Sequence, residues 1–398
     1  MKKIPTGAYT WIGMGVLITL LGLFYVSCST NTYMGRWMKW RASDVNDYQK
    51  FPAFEFLPSP DPFHFIKSID SNIGQLLIEH GKEKISLQQL VETSETTAFL
   101  VIRNDSLLYE QYASGYTRES INTSFSTAKS ITGLLVGRAI GDGYITSEND
   151  PVTKYLPELK KVSYLYDSIR IAFLLDMRSG IQFRDHDLPW GDKPKAYYHP
   201  NLREWVMQLP VKDNPGEEFQ YNSYNPILVG MVLEKATGMV PAAYFEKTIW
   251  NKLGMEFPGS WSADSETSMM TKMESGINLR AIDFAKFGRL VLNQGAWNDQ
   301  QIIPADWVAK SIQIDPHHNV KEFGEEIYYE NFWWLYSRDK FTPYIISGWG
   351  HLGQYLYIFP KKNMIVVRMG KGLGSVESWG KVFKVIAERD SVPLNFKK

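Results

Sequence analysis

Cysteine is almost absent from this sequence. The single residue, Cys28, excludes an internal disulfide framework and a thiolate metal cluster within one chain. Histidine is scarce as well: the seven imidazoles, at 64, 80, 186, 199, 317, 318 and 351, show no HExxH or other helical ligand spacing, so no metal site is expected. Charge of either sign is not in excess. Lysine plus arginine and aspartate plus glutamate each total 43, which gives no electrostatic argument for nucleic acid or for strongly charged substrates and leaves a neutral or small substrate open. There is no internal repeat or low-complexity tract, and no cofactor is expected. What is present is 398 residues, 44% hydrophobic and 14% aromatic, enough to bury the core of one large or two modest domains.

Long apolar, charge-free runs are also rare, and the one that stands out lies at the start, from Trp11 to Val26 behind Lys2 and Lys3. A basic start followed by such a run predicts an export signal or N-terminal membrane anchor over residues 1–30, with the rest of the chain on the periplasmic or extracytoplasmic side. The run is near the lower limit for a spanning helix, about 17 residues. Val26-Ser27-Cys28 resembles a bacterial lipoprotein cleavage box, with Tyr25 where leucine is usual. Cys28 is therefore either lipidated or a plain residue ending an uncleaved anchor. Residues 31–85, with prolines at 52, 58, 60 and 62 and few periodic runs, read as a connecting arm.

Thr97–Ile102 and Leu107–Tyr112 flank an Asn104-Asp105 turn signal and predict a β-hairpin. Tyr355–Phe359 and Met364–Met369 predict a second, followed by a helix from about Val376 to Arg389. Helices are expected from Ser126 to about Gly141, from Pro226 to Lys235 before Gly238, and over Asn278–Leu292. Gly180 is expected to cap a helix after Leu174, and 181–198 to form a long loop over a cleft. Strands at both ends with helices between them indicate a mixed α/β (α+β) domain whose sheet is completed by the two chain ends.

The chemistry concentrates at Ser126-Thr127-Ala128-Lys129, where a serine opens an apolar, helix-periodic run and a lysine follows one turn later on the same face. Serine needs a neighbouring base and an oxyanion site to act as an acyl-transfer nucleophile. At a helix N-terminus Ser126 has a free N–H beside a favourable dipole. Lys129 serves as base only if burial or other cations lower its pKa; a charged Lys129 would instead stabilise an anion. On the tetrapeptide alone, an exposed Ser and Lys without function is the commoner outcome. Two further copies, Ser337 to Lys340 and Ser378 to Lys381, lack a comparable helix start.

Tyr221-Asn222-Ser223 and then Gly350-His351-Leu352-Gly353-Gln354 follow the SxxK tetrapeptide in order. Together these motifs resemble the serine β-lactamase-like family of class C β-lactamases, DD-peptidases, esterases and 6-aminohexanoate-oligomer hydrolases, from about Leu87 to Arg389. The resemblance implies a β-lactamase/transpeptidase-like fold over 86–398 with a mostly helical subdomain. It implies Ser126 as acylated nucleophile, Lys129 as its proton partner and Tyr221 as general base and later acid. Ser223 or Asn225 would replace the family's hydrogen-bonding asparagine, because Tyr221-Asn222-Ser223 is YxS rather than YxN. No KTG is present; Gly348–Gly353 is its nearest counterpart, and Lys235-Ala-Thr-Gly238 is a decoy at a helix end. That departure weighs against penicillin or D-Ala-D-Ala substrates. His351 is either a pocket group or a turn histidine, and the second oxyanion N–H is expected between Leu352 and Tyr355. Asp187 and Trp190 in the long loop, with Gly353 and Gln354, complete the expected substrate contacts. The expected enzyme is a membrane-anchored serine hydrolase of small amides or esters. Alternatives are a DD-carboxypeptidase or a non-catalytic wall-peptide-binding protein.

Overall fold

The computed structural model describes residues 29–320 and 326–389, with isolated positions 14, 15, 17, 19 and 22 before them. The expected signal or anchor, Cys28 included, therefore falls almost wholly outside the described residues. Among those residues no single helix is long and apolar enough to cross a membrane.

One eight-stranded sheet organises the molecule. Its strands are β1 (Ile66–Lys67), β2 (Thr96–Arg103), β3 (Ser106–Tyr112), β4 (Ile327–Glu330), β5 (Trp333–Ser337), β6 (Pro343–Gly350), β7 (Gln354–Phe359) and β8 (Met364–Gly370), in the spatial order β4-β5-β6-β7-β8-β2-β3-β1. All neighbours are antiparallel except β1, which pairs parallel with β3. The pairing of β8 with β2, Val366 opposite Val101, joins the two chain ends. The β2–β3 hairpin turns on Asn104 and Asp105 at φ 50° and 57°, left-handed values that Asn and Asp tolerate best among side-chain-bearing residues. A second small sheet pairs Ala53–Phe56, Gly259–Ser262, Ile277–Leu279 and Asn122–Thr123. It carries the chain into the Ser126 turn, because Ser124 N–H donates to the Ile277 carbonyl at 2.8 Å.

The helices that matter for the site are α1 (Tyr33–Trp40), α2 (Thr127–Gly141), α3 (Ile171–Leu175), α4 (Asp192–Tyr198), α5 (Tyr224–Thr237), α6 (Ala281–Leu292) and α7 (Trp379–Glu388). α2 is buried on almost every face, as a core helix with apolar residues all round must be. Burying each of Ile131, Leu134 and Leu135 contributes roughly 1.5–3 kcal/mol. A Cβ at Gly137 would lie 2.0 Å from the Trp307 ring, so only glycine lets that indole reach the Gly133 carbonyl, to which it donates at 3.0 Å. α6 packs on the sheet through β7 and β8, and α7 lays Phe383 against Tyr357 with ring centres 4.6 Å apart.

Three expectations change. α3 ends at Leu175, capped by Asp176, so Gly180 is not its cap. Gly180 instead sits at φ 69° in a turn whose carbonyl accepts from Lys212 and Asp213, where a Cβ would meet the Asp213 carbonyl oxygen at 2.2 Å. The segment 181–198 is a loop only to Gly191, then α4. The arm over 31–85 is structured: α1, Ala53–Phe56 and β1 fall within it, and a hairpin of Leu77–His80 with Glu83–Ser86 closes it.

Candidate active site

The turn that carries Ser126 is strained. Phe125, just before Ser126, has φ 48°, a left-handed value costly for an aromatic residue, and its ring stands edge-on to His351 with centres 5.4 Å apart. Ser126 caps α2 with its own side chain uncommitted to the helix, while Thr127 Oγ1 holds the turn by donating to the Ser124 carbonyl at 2.8 Å. On the other side a Cβ at Gly350 would lie 2.5 Å from the Ser124 carbonyl oxygen, so the end of β6 runs tightly along this turn.

Lys129 Nζ lies 2.8 Å from Ser126 Oγ and donates to the Glu274 main-chain carbonyl at 2.9 Å. Its side chain is 1% exposed. Burial pulls its pKa down to about 7; the Lys272 ammonium adds to the fall and the Glu274 carboxylate opposes it. Lys272 and Glu274 are a buried ion pair at 2.7 Å, with Lys272 also donating to the Tyr197 carbonyl. The Tyr221 ring faces Lys129 Nζ at 5.2 Å and stacks on Trp334, which stacks in turn on Trp349 at 4.4 Å. Burial pushes the Tyr221 phenol up to about 12, against the lowering effect of its hydrogen bond to Ser126. Burial thus favours the protonated phenol at Tyr221 and the neutral amine at Lys129.

These groups open into a cavity of about 480 Å³. Ser126, Lys129, Tyr221, Ser223, Asp187 and His351 all line it. Ser223 caps α5 without spending its hydroxyl on the cap, and burial lowers the pKa of His351, which stays neutral near pH 7. His351 is thus both a cavity group and the partner of the Phe125 ring.

Four expected contacts lie elsewhere. Asn225 is fully buried, its amide tied to Ser179 Oγ and the Leu174 carbonyl, because at the second residue of α5 the side chain faces the core. Gln354 is fully buried and bonds the Gly370 main chain at 2.6 Å. Gly353, at φ 80°, leaves room for the buried Arg368 guanidinium, which takes its carbonyl at 2.8 Å. Trp190 is 59% exposed outside the cavity lining. Nor do residues 352–355 line the cavity; the strand end that does is at His351. Ser378 caps α7, with Lys381 N–H donating to its hydroxyl, so this SxxK copy does begin a helix, with a side chain spent on capping.

Sequence reasoning missed Trp37, Arg41 and Ser43 from the arm and Glu274, all of which line the cavity. Arg36-Trp37 and Trp40-Arg41 repeat at helical spacing, the one signal that could have drawn attention to the arm. Away from the cavity lining, Asp176, His318 and Glu330 bring potential ligand atoms within 4.8 Å of one another. His318 Nδ1 is already 2.9 Å from Glu330, and Asp176 accepts the Asn331 N–H at 2.8 Å, so the cluster is internally bonded.

A terminal-strand antiparallel sheet flanked by helices, with Ser, Lys and Tyr converging in one cleft, defines a β-lactamase/transpeptidase-like protein. The chain belongs to the beta-lactamase family, whose model matches residues 87–390, and is a hydrolase of that family. It is 26% identical over 300 residues to the 6-aminohexanoate-dimer hydrolase of Paenarthrobacter ureafaciens, covering 71% of this chain and 74% of that one. Among solved structures it resembles a Bacillus anthracis protein provisionally described as a 6-aminohexanoate-dimer hydrolase, with a TM-score of 0.77, 22% identity and coverage of 90% and 95% of the two chains. It also resembles EstCE1, a hydrolase with promiscuous acyltransferase activity, with a TM-score of 0.60, 16% identity and coverage of 76% and 95%.

Proposed function

We propose that the protein is a serine hydrolase of small linear amides or esters, working through an acyl-enzyme on Ser126. The observation that carries this reading is the 2.8 Å contact between Ser126 Oγ and a buried Lys129 whose pKa lies near 7. Ser126 Oγ attacks the substrate carbonyl carbon as Lys129 Nζ takes its proton. The resulting oxyanion faces the Ser126 N–H at the start of α2, with the strand end at His351 as the second donor. Collapse expels the amine or alcohol, which takes a proton from the Tyr221 phenol; the Lys129 ammonium then returns a proton to Tyr221. Water attacks the acyl ester with the same groups, giving the free acid and restoring Ser126. Similarity to a 6-aminohexanoate-dimer hydrolase and the YxS motif favour a linear amide over a β-lactam. The absence of a KTG lysine from the sequence points the same way.

Residues from 31 onward, assayed with a p-nitrophenyl ester, a 6-aminohexanoate dimer, a chromogenic cephalosporin and a D-Ala-D-Ala peptide, test the reading. The ester is expected to turn over fastest and the cephalosporin slowly or not at all. Stoichiometric binding without turnover would support a binding protein instead. Export and anchoring through residues 1–30 belong to the same proposal on sequence grounds, and membrane fractionation of cells making the full chain tests them.

A further inference from the structure

Part of the cavity wall comes from outside the family match. Residues 37–43 contribute Trp37, Arg41, Ala42 and Ser43, whereas the matched region begins at 87. This segment is held firmly. Arg36 is 5% exposed, donating to the Thr30 carbonyl at 2.6 Å and to the Asp264 and Tyr198 carbonyls, with its guanidinium 5.2 Å from the Trp40 ring centre. Trp40 packs edge-on to Phe51 at 5.1 Å. At its end Arg41 takes φ 51° and ψ −98°, outside every region a side-chain-bearing residue favours. Its N–H donates to the Trp37 carbonyl and its carbonyl accepts from the Tyr198 hydroxyl. Strain of this kind costs on the order of 1–3 kcal/mol and persists where the surroundings over-determine it.

Apart from Asp187, which also lines the cavity without an ion pair among the described residues, the other charges there are spoken for. Lys193 is 2.7 Å from Asp185, Glu274 is paired with Lys272, and Lys129 sits near its midpoint at neutral pH. Arg41 is different: it lines the cavity, is exposed, and has no carboxylate within ion-pair distance among the described residues. A guanidinium is permanently charged and offers a planar fork matched to a carboxylate.

We infer that Arg41 anchors a carboxylate carried by the substrate, so that the preferred substrates are linear amides or esters with a free carboxylate at one end. This rests on the serine-hydrolase reading above. Arg41 is a specificity residue, remote from the reacting bond, and the arm that carries it is a part of the active site.

The test compares N-(6-aminohexanoyl)-6-aminohexanoate with N-pentyl-6-aminohexanamide, which replaces the carboxylate by hydrogen, together with p-nitrophenyl acetate. Wild type should prefer the carboxylate substrate in kcat/KM. Arg41→Gln should raise KM for it about 10- to 100-fold, the scale of a lost charge-assisted hydrogen bond, with little change in kcat. The pentylamide and the acetate should be unaffected, and Arg41→Lys should recover part of the loss. Equal loss on all three substrates would make Arg41 a structural residue and overturn the inference. So would an unchanged preference in Arg41→Gln, while p-nitrophenyl acetate turnover would leave the serine-hydrolase reading standing. A wild type that cleaves none of the three overturns both.

Discussion

The acid-side pH dependence of turnover follows directly from the environment of Lys129. Its pKa falls from 10.5 to about 7 because a fully buried ammonium loses its hydration. At 1.36 kcal/mol per unit, that shift corresponds to roughly 5 kcal/mol of preference for the neutral amine. The basic form is then about half populated at pH 7 and about a tenth at pH 6, so kcat/KM for a p-nitrophenyl ester should fall about tenfold per unit below pH 7. Above about pH 8 it should be flat, because the Tyr221 phenol, at about 12, does not ionise in the assay range. If phenolate Tyr221 were the base instead, the rate would keep rising through pH 10. Stability carries the same signature: between about 7 and 10.5 the unfolded chain binds a proton at this lysine that the folded chain does not, so this group's contribution makes the fold more stable as pH rises through that window. Lys129→Met, which removes the buried amine, should therefore raise Tm more at pH 6 than at pH 9, read by calorimetry in the two buffers. A pH–rate profile with no inflection between 6 and 8, still climbing at pH 10, would refute the assignment of Lys129 as base.

Tyr221→Phe should lower kcat/KM on an amide by about 10²–10⁴-fold, the usual reach of a general acid, and less on a p-nitrophenyl ester, whose leaving group departs without a proton. Steady-state assays on both substrates check this. Glu274→Gln removes the anion that holds the Lys129 pKa up, so the acid limb should move to lower pH. It should also cost stability, because Lys272 stays buried without its partner, an effect of about 3–5 kcal/mol visible in denaturant titration. Gly350→Ala places a Cβ where the Ser124 carbonyl lies at 2.5 Å, and should cost about 1–3 kcal/mol of stability together with turnover, checked by thermal unfolding and kcat.

Local periodicity was enough to read the two hairpins, the α2, α5 and α6 helices and the Ser126–Lys129 pair, because each depends on neighbours within a few residues. Asn104-Asp105 names its turn, and an i,i+3 spacing on a helix brings two side chains together whatever the rest of the chain does. The remainder depended on distant partners. The second partner of Lys129 is a backbone carbonyl 145 residues away, and a carbonyl leaves no trace in residue type. Asn225 and Gln354 looked like substrate contacts because they are polar and close to the motifs, yet both point inward to satisfy buried main-chain or hydroxyl groups. Gly353 reads as part of a glycine-rich motif, whereas its φ of 80° and the Arg368 guanidinium behind it explain the residue. The arm was undervalued because α1 and the strands near it are short, and their contribution to the cavity becomes visible only once Arg36 has pinned them to the domain.

The central claim is that Ser126 becomes acylated, and intact-protein mass spectrometry with peptide mapping after fluorophosphonate treatment tests it most directly. One adduct per chain is predicted, on the peptide containing Ser126, forming faster at pH 8 than at pH 6 and lost in Ser126→Ala. An adduct on another residue, or equal labelling of Ser126→Ala, would contradict the account.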